Sequence, residues 1–228
     1  MSLYLYQASY TAVSLAAQMK QPVDRLEVVN RNGRNLLQLI SDILDLSKIE
    51  AGQLQLKVHP LDIAPVIDEC FTLFEPMAAE KGLALRRNLS ASLKPILADR
   101  GRVLQVLVNL VGNAIKFTPV GSVTVHVGNV AAGVDIPDDP PAPGSGWVML
   151  TVEDTGVGIG PEARAIIFDE FRQADESMTR EYEGTGLGLA ITQLLVEMMD
   201  GKVWVDSQLG QGSRFHVVLP AADHEEPG

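Results

Sequence analysis

A long helical pattern that stops at Gly52 restricts the fold of this chain more than any other feature. Apolar residues recur every three or four positions between Pro22 and Glu50, which predicts one amphipathic helix. Proline is tolerated in the first turn of a helix, and glycine is frequent just after the last turn. A helix with one apolar face needs a partner, which is either the N-terminal segment or another chain.

The sequence after Gly52 mixes alternating and helical segments, which predicts an α+β domain over residues 53–221, followed by a polar tail at 222–228. We expect helices at 63–81, 99–117 and 187–199, and strands at 54–58, 83–89, 95–98, 123–130, 147–153, 203–206 and 213–219. Strands that neighbour in sequence favour a mixed, largely antiparallel sheet. Helices on one face would complete a two-layer α/β sandwich with room for a ligand between the layers.

The composition excludes several classes of function. Lys and Arg number 18 and Asp and Glu number 29, and the resulting net charge of −11 argues against non-specific binding to nucleic acid or to an anionic membrane. The single cysteine, Cys70, excludes a disulfide framework and fits a reducing, cytoplasmic compartment. A polyanionic ligand would therefore have to be held locally, by a metal ion or by backbone dipoles.

A first cluster of polar residues, NLVGNAIKFT, lies on the predicted helix 99–117. Asn109 and Asn113 are four residues apart and share one helix face, and Lys116 lies nearly one turn further along. Amide side chains on so apolar a helix need partners. The residues alone leave open whether these amides bind a ligand or simply pack against neighbouring backbone.

A second cluster, EDTGVGIG, follows the predicted strand 147–153. Asp154 can accept hydrogen bonds, and glycines at 156, 158 and 160 would let the backbone approach a flat ligand closely. A glycine-rich turn capped by Asp154 explains the same residues without a ligand.

A third cluster, GTGLGLA, begins at Gly184 and leads into the predicted helix 187–199. The free N–H groups at the start of a helix bind phosphate. Lys-Ser or Lys-Thr does not follow, and the G-x-G-x-x-G spacing is missing, so neither a Walker A loop nor a dinucleotide fingerprint is present.

Each cluster alone occurs in many kinds of protein, but the three clusters in this order are characteristic of one family. Asn113, then DTGVG about forty residues later, then GTGLGLA about thirty further on, resembles the ATP-binding domain of sensor histidine kinases, in the wider family of gyrase and Hsp90. The segment VNRNGRNLLQLISDILDLSKIEAGQ resembles the second helix of the kinase dimerisation hairpin. IFDEFRQADESMTREYEGTGLGLAI resembles the phenylalanine box, ATP lid and second glycine box of hybrid-type kinases.

This resemblance implies the Bergerat ATP-binding fold, ATP and Mg²⁺ as cofactors, and a role for each matching residue. Asn113 would bind Mg²⁺, with Asn109 and Lys116 as catalytic residues beside the phosphates. Asp154 would accept from the adenine amino group, and Gly156 and Gly158 would let the backbone pass the purine. The phosphates would lie at the five residues Gly184, Thr185, Gly186, Leu187 and Gly188, under a lid formed by 161–183.

The resemblance also implies the reaction. ATPases of this family carry a glutamate general base at the position of Asn109, and an amide cannot remove a proton from water. Transfer of the γ-phosphoryl group to a histidine is therefore favoured over hydrolysis, followed by relay to a response regulator. The full protein is expected to be a homodimer, with no nucleic-acid or membrane contact by this segment.

One element of the pattern is missing. The phosphoacceptor histidine of these kinases lies in a helical H-E-x-R-T-P-like segment, whereas the histidines here, at 59, 126, 216 and 224, lie in or beside predicted strands or in the tail. We therefore expect residues 1–52 to be a partial dimerisation region without the acceptor, and the chain to bind ATP without labelling itself. A pseudokinase scaffold that acts through the long helix is the alternative. An anti-sigma-type serine kinase would share the fold, but the long helix and the lid disfavour it.

Overall fold

The computed structural model describes residues 22–131, 136–137, 145–169 and 186–222. The chain divides into two compact units, one up to Asp45 and one from Leu46 onwards. The first contains most of helix α1, Pro22–Glu50, whose predicted extent is confirmed. Several of its apolar residues are exposed, among them Leu37 with 69% of its surface accessible. Within the described ranges, no helix combines the length and the apolar character needed to cross a membrane.

The second unit is built on a five-stranded sheet with the order β2-β4-β5-β7-β6. Its strands are β2 (Ala84–Leu89), β4 (Ser122–Asn129), β5 (Trp147–Asp154), β6 (Lys202–Ser207) and β7 (Ser213–Pro220). Strand β2 runs parallel to β4, and the other neighbours are antiparallel. The predicted mixed, largely antiparallel sheet is therefore confirmed. A separate antiparallel pair joins β1 (His59–Leu61) to β3 (Ile96–Ala98).

The prediction of a strand at 54–58 is wrong, since no ladder begins before His59. The partner strand β3 has only three residues and ends before Asp99, whose carboxylate accepts from the Lys57 N–H at 2.8 Å. That backbone donor is therefore satisfied by a side chain. The apolar alternation reflects burial, because Leu54 and Leu56 pack against the core without pairing.

Helices cover one face of the sheet, as the two-layer prediction requires. They are α2 (Ala64–Glu80), α3 (Arg100–Phe117) and α5 (Gly188–Met198), and a short helix α4 spans Pro161–Arg164. Asp99 caps α3 by accepting from the N–H groups of Gly101 and Arg102. Fully buried residues of α3, such as Leu107 and Ile115, pack in the same core cluster as the alternate sheet residues that face the helices.

We call the opposite side of the sheet the open face. It carries a small apolar cluster, in which Ile136 of the β4–β5 connection packs with Trp147 and Val218. Polar side chains also lie on this side, among them the β5 residues Thr151 and Glu153 at its centre.

The structure also bears on the predictions for Cys70 and for the polar tail. Cys70 is fully buried, and this burial raises the pKa of its thiol to about 12. Ala222, the first residue of the expected polar tail, is also buried, and its N–H donates to the carbonyl of Pro95 at 2.8 Å. The remaining tail residues, 223–228, lie outside the described residues.

Candidate active site

The two asparagines of helix α3 form a hydrogen-bonded chain that reaches helix α5. Asn113 donates through Nδ2 to Asn109 Oδ1 at 3.4 Å, and Asn109 donates through Nδ2 to the Thr192 hydroxyl at 2.8 Å. Thr192 is only 1% exposed. Both the oxygen and the nitrogen of the Asn109 amide are therefore hydrogen-bonded within the protein. The amide nitrogen of Asn113 is hydrogen-bonded as well, and its amide oxygen can serve as a ligand for a cation.

Gly188 begins helix α5 directly beside this chain of amides. A Cβ atom at this position would overlap Asn109 Oδ1, so any larger residue here would have to displace the Asn109 amide. The residue before it, Leu187, occupies the N-cap position, and its apolar side chain makes no capping hydrogen bond. Helix N-termini carry N–H groups and partial positive charge that can bind anions.

Only part of the third sequence cluster falls within the described residues. Gly186, Leu187 and Gly188 are described, whereas Gly184 and Thr185 lie outside. Most of the expected lid, from residue 170 to 183, also lies outside them. At its described base, Phe168 packs edge-on against Phe215, with ring centroids 6.4 Å apart, so this aromatic ring serves the core.

Asp154 ends strand β5 on the helix-covered side and is 7% exposed. Its Oδ1 accepts from the Gly156 N–H at 2.8 Å, and the backbone and hydroxyl of Ser213 also donate to the carboxylate. Burial nevertheless raises the pKa of Asp154 above its ordinary value, because these donors offset only part of the lost hydration. A carboxylate has about four acceptor sites, so one remains for a ligand after three protein donors.

The loop after β5 is bound to the segment after α3. The Val157 N–H donates to the Phe117 carbonyl at 3.2 Å, which joins the second sequence cluster to the first. Gly156 lies inside this junction: a Cβ there would overlap the Phe117 carbonyl and would come within 2.8 Å of Asp154 Oδ1. Gly158 has φ +69° and packs against the carbonyl of Gln208 in the β6–β7 turn.

Lys116 lies in the last turn of α3, half-buried, and this burial lowers the pKa of its ammonium group. Its Nζ lies 4.9 Å from the centroid of the Phe117 ring. The end of the helix is held by Lys81, whose Nζ donates to the carbonyls of Ile115 and Lys116 at 2.9 and 3.2 Å. The described contacts connect Asn109, Asn113 and Gly188. Lys116 lies nearly one turn beyond Asn113 on the same helix.

Sequence reasoning missed two residues that hold this arrangement, Thr192 and Ser213. Thr192 is a polar residue within the apolar helix GLAITQLLVEM, which is the same signal that singled out the asparagines of α3. Ser213 opens β7 directly opposite Asp154 in the ladder, and that register is invisible before the strands are paired.

Comparisons with known proteins identify the family. Residues 98–223 match the family described as histidine kinase-, DNA gyrase B- and HSP90-like ATPases. This match covers more than half of the chain and spans all three sequence clusters. The chain therefore belongs to this family.

Its relatives are sensor histidine kinases. The autoinducer 2 sensor kinase/phosphatase LuxQ of Vibrio parahaemolyticus is 36% identical over 213 residues, which are 92% of this chain and 24% of LuxQ. The histidine-protein kinase BarA of Escherichia coli is 38% identical over 193 residues, 84% of this chain and 20% of BarA. The chain thus spans about a quarter or less of these relatives' length.

Solved structures agree. Full-length ShkA in complex with AMPPNP has a TM-score of 0.72 and 36% identity, over 90% of this chain and 40% of ShkA. The catalytic domain of the histidine kinase ThkA has a TM-score of 0.58 and 25% identity, over 73% of this chain and 97% of that domain. The fold and sequence are those of an ATP-binding catalytic domain of the histidine-kinase type.

Proposed function

We propose that this chain is the ATP-binding catalytic part of a two-component sensor kinase, which transfers the γ-phosphoryl group of Mg-ATP to a histidine. The observation that carries this proposal is the meeting of three distant sequence clusters at one helix, α3. Gly188 of the third cluster lies against the Asn109 amide of α3, and the Phe117 carbonyl that ends α3 accepts from Val157 in the loop after β5. One helix thus connects the loop beside a buried carboxylate to the N-terminus of another helix.

The residues fit both ends of ATP. The remaining acceptor of Asp154 suits the amino group of adenine, and Gly156 keeps side chains away from the base. The first turn of α5, with the preceding glycines from Gly184 onwards, suits the negatively charged phosphates. Because the net charge of the chain is −11, these local dipoles and a metal ion are needed to hold a polyanion.

The residues also fit Mg²⁺. Asn113 offers an amide oxygen, a hard ligand, and Mg²⁺ in nucleotide sites typically keeps water and phosphate oxygens as its other ligands. When bound, the cation would neutralise charge on the phosphates. Asn109 orients Asn113 through its own amide oxygen, which we propose as its contribution, and Lys116 supplies positive charge nearby.

We favour phosphoryl transfer to a protein over hydrolysis because Asn109 stands where ATPases of this family carry their general base. Both ends of the Asn109 amide are already hydrogen-bonded, and an amide does not take a proton from water. His59, His126 and His216 each lie in a strand of the folded unit, which does not match the helical setting of an acceptor histidine in these kinases. We propose that the acceptor belongs to a helical segment elsewhere and that a response-regulator receiver domain takes the phosphoryl group from it.

The same proposal covers the long helix and the setting of the domain. Residues 1–52 would form part of a dimerisation region, with the exposed apolar side chains Leu36, Leu37 and Leu44 of α1 available to a second copy. Residues 53–221 would be the catalytic domain, and the site would operate in the cytoplasm, where ATP is present.

Titration with Mg-ATP tests the site. We expect the wild-type chain to bind and Asp154→Ala to lose binding, while Glu153→Ala, one residue away on the other face of the sheet, keeps it. Unchanged affinity in Asp154→Ala would show that the site assignment is wrong.

Transfer is tested by adding ATP labelled at the γ-phosphate together with a separate kinase hairpin that carries an acceptor histidine. We expect label on the hairpin and none on the chain alone. Binding without transfer would instead support the scaffold alternative, and stable labelling of a histidine of this chain would refute the separate-acceptor proposal.

A further inference from the structure

Thr118, the first residue after helix α3, has a hydroxyl group that the fold does not use. The residue is fully buried, and within the described ranges its Oγ1 has no hydrogen-bond partner. A buried hydroxyl without a partner is unfavourable, and native proteins rarely leave one in that state. The ordinary solution at a helix end, a bond from the threonine hydroxyl back to a carbonyl one turn earlier, is not made here.

This hydroxyl lies beside the carboxylate of Asp154. The position that a Cβ atom of residue 156 would occupy is 2.9 Å from Thr118 Oγ1 and 2.8 Å from Asp154 Oδ1. The two oxygens therefore flank the same point, and glycine at 156 keeps that point free of side-chain atoms. The Phe117 carbonyl oxygen lies still closer to the same point, so the hydroxyl and the carboxylate are neighbours within one tightly packed corner of the site.

The two oxygens are chemically complementary. An ionised carboxylate only accepts hydrogen bonds, whereas a hydroxyl can also donate one. The edge of adenine presents the same pair in reverse, with an amino donor next to a ring nitrogen that accepts. Guanine offers a carbonyl oxygen and a ring N–H at these positions, which would meet the pair with the wrong polarity.

We propose that Thr118 is a base-recognition residue, whose hydroxyl donates to the ring nitrogen beside the amino group that Asp154 accepts from, directly or through one water. This inference rests on the proposed function, since it needs adenine at Asp154. It gives the unpaired hydroxyl its partner only in the nucleotide complex.

The test compares Thr118→Val, which replaces the hydroxyl by a methyl group of similar size, with Thr118→Ser, which keeps the hydroxyl. We expect Thr118→Val to bind Mg-ATP about tenfold more weakly, one lost hydrogen bond, and Thr118→Ser to stay within about twofold of wild type. The Tm of the nucleotide-free Thr118→Val protein should not fall, because an unpaired polar group is removed. Equal affinity in Thr118→Val and wild type would overturn the inference, as would a lowered Tm with unchanged affinity.

A second ligand separates base recognition from packing. In 1-deaza-ATP a carbon replaces the ring nitrogen beside the amino group. Wild type should prefer ATP over this analogue by about tenfold, and Thr118→Val should bind both alike. If the valine variant does not fold, Thr118→Ala takes its place, and equal binding of ATP and 1-deaza-ATP by wild type overturns the inference without any variant. Failure of wild type to bind Mg-ATP at all would refute the proposed function instead.

Discussion

Strand β5 ends in two neighbouring carboxylates, Glu153 and Asp154, that face opposite sides of the sheet and are treated oppositely by the protein. On the open face, hydrogen bonds from Arg214 and His126 lower the pKa of Glu153, despite its partial burial. On the helix-covered face, burial raises the pKa of Asp154. The folded protein thus favours the charged form of Glu153 and disfavours the charged form of Asp154.

The difference extends to the surroundings of each carboxylate. The open face pairs its polar groups among themselves: Glu153 accepts from Arg214 at 2.7 Å, and His216 stacks on Trp204 with ring centroids 5.0 Å apart. On the helix-covered face, the Thr118 hydroxyl has no partner among the described residues, and Asp154 has acceptor capacity beyond its three protein donors. This contrast is what we expect if the helix-covered face is the binding site that we propose, because perturbed titratable groups cluster at functional sites.

We expect the largest effect when nucleotide affinity is compared between a variant of Asp154 and a matched variant of Glu153. Asp154→Asn removes one charged acceptor and should weaken Mg-ATP binding roughly 10- to 100-fold, the worth of a hydrogen bond to a charged group. Glu153→Gln, the matched change one residue away, should alter the affinity by less than about twofold. Calorimetric titration of both variants checks this, and equal losses would abolish the distinction between the faces.

The second expectation concerns the pH dependence of stability without nucleotide. A raised pKa in the folded state means that the contribution of Asp154 is present below its ordinary pKa and is lost as the pH rises through the folded value. Asp154→Asn should therefore gain stability relative to wild type as the pH rises from 3 to 7.

Glu153 should show the reverse dependence. Because its pKa is lowered in the folded state, its contribution is present above the ordinary value and is lost as the pH falls. Glu153→Gln should therefore lose stability relative to wild type as the pH rises over the same range. Urea unfolding of both variants at pH 3, 5 and 7 measures these differences, and two differences of the same sign would contradict the assignment.

We expect the smallest effect from a substitution on the open face, where Arg214 is a partner of Glu153. Arg214→Met removes the main partner of Glu153 but leaves the helix-covered face untouched. Because the Arg214 side chain is 61% exposed, the loss of unfolding free energy should stay below about 1 kcal/mol. Nucleotide affinity should not change, and a variant that binds Mg-ATP clearly more weakly would show that the two faces are coupled.

Much of this arrangement could be predicted from the sequence because local patterns determine it. The apolar period of 99–117, with Asp99 before it, predicts the position and cap of α3, and alternation predicts both hairpins. Asp154 was found from its place at a strand end before glycines. In each case the deciding residues lie within a few positions of the feature they define.

What could not be predicted depends on contacts between distant segments. Asn109 and Thr192 are 83 residues apart, and their bond exists only once α3 and α5 are packed. The unused hydroxyl of Thr118 is likewise invisible in the sequence, because an absent partner can be recognised only after every neighbour has a position. The misplaced strand at 54–58 has the same cause, since its pairing depends on the length of β3.

The turn between β6 and β7 looks like an ordinary surface hairpin, with Leu209 71% exposed. Its Gly210 N–H, however, donates to the Val157 carbonyl at 2.7 Å, while the Val157 N–H is held by Phe117. Surface turns of this kind usually accept insertions of extra residues. This turn instead holds the loop that carries Gly156, so lengthening it should loosen the proposed adenine end of the site, although the two segments are more than fifty residues apart in sequence.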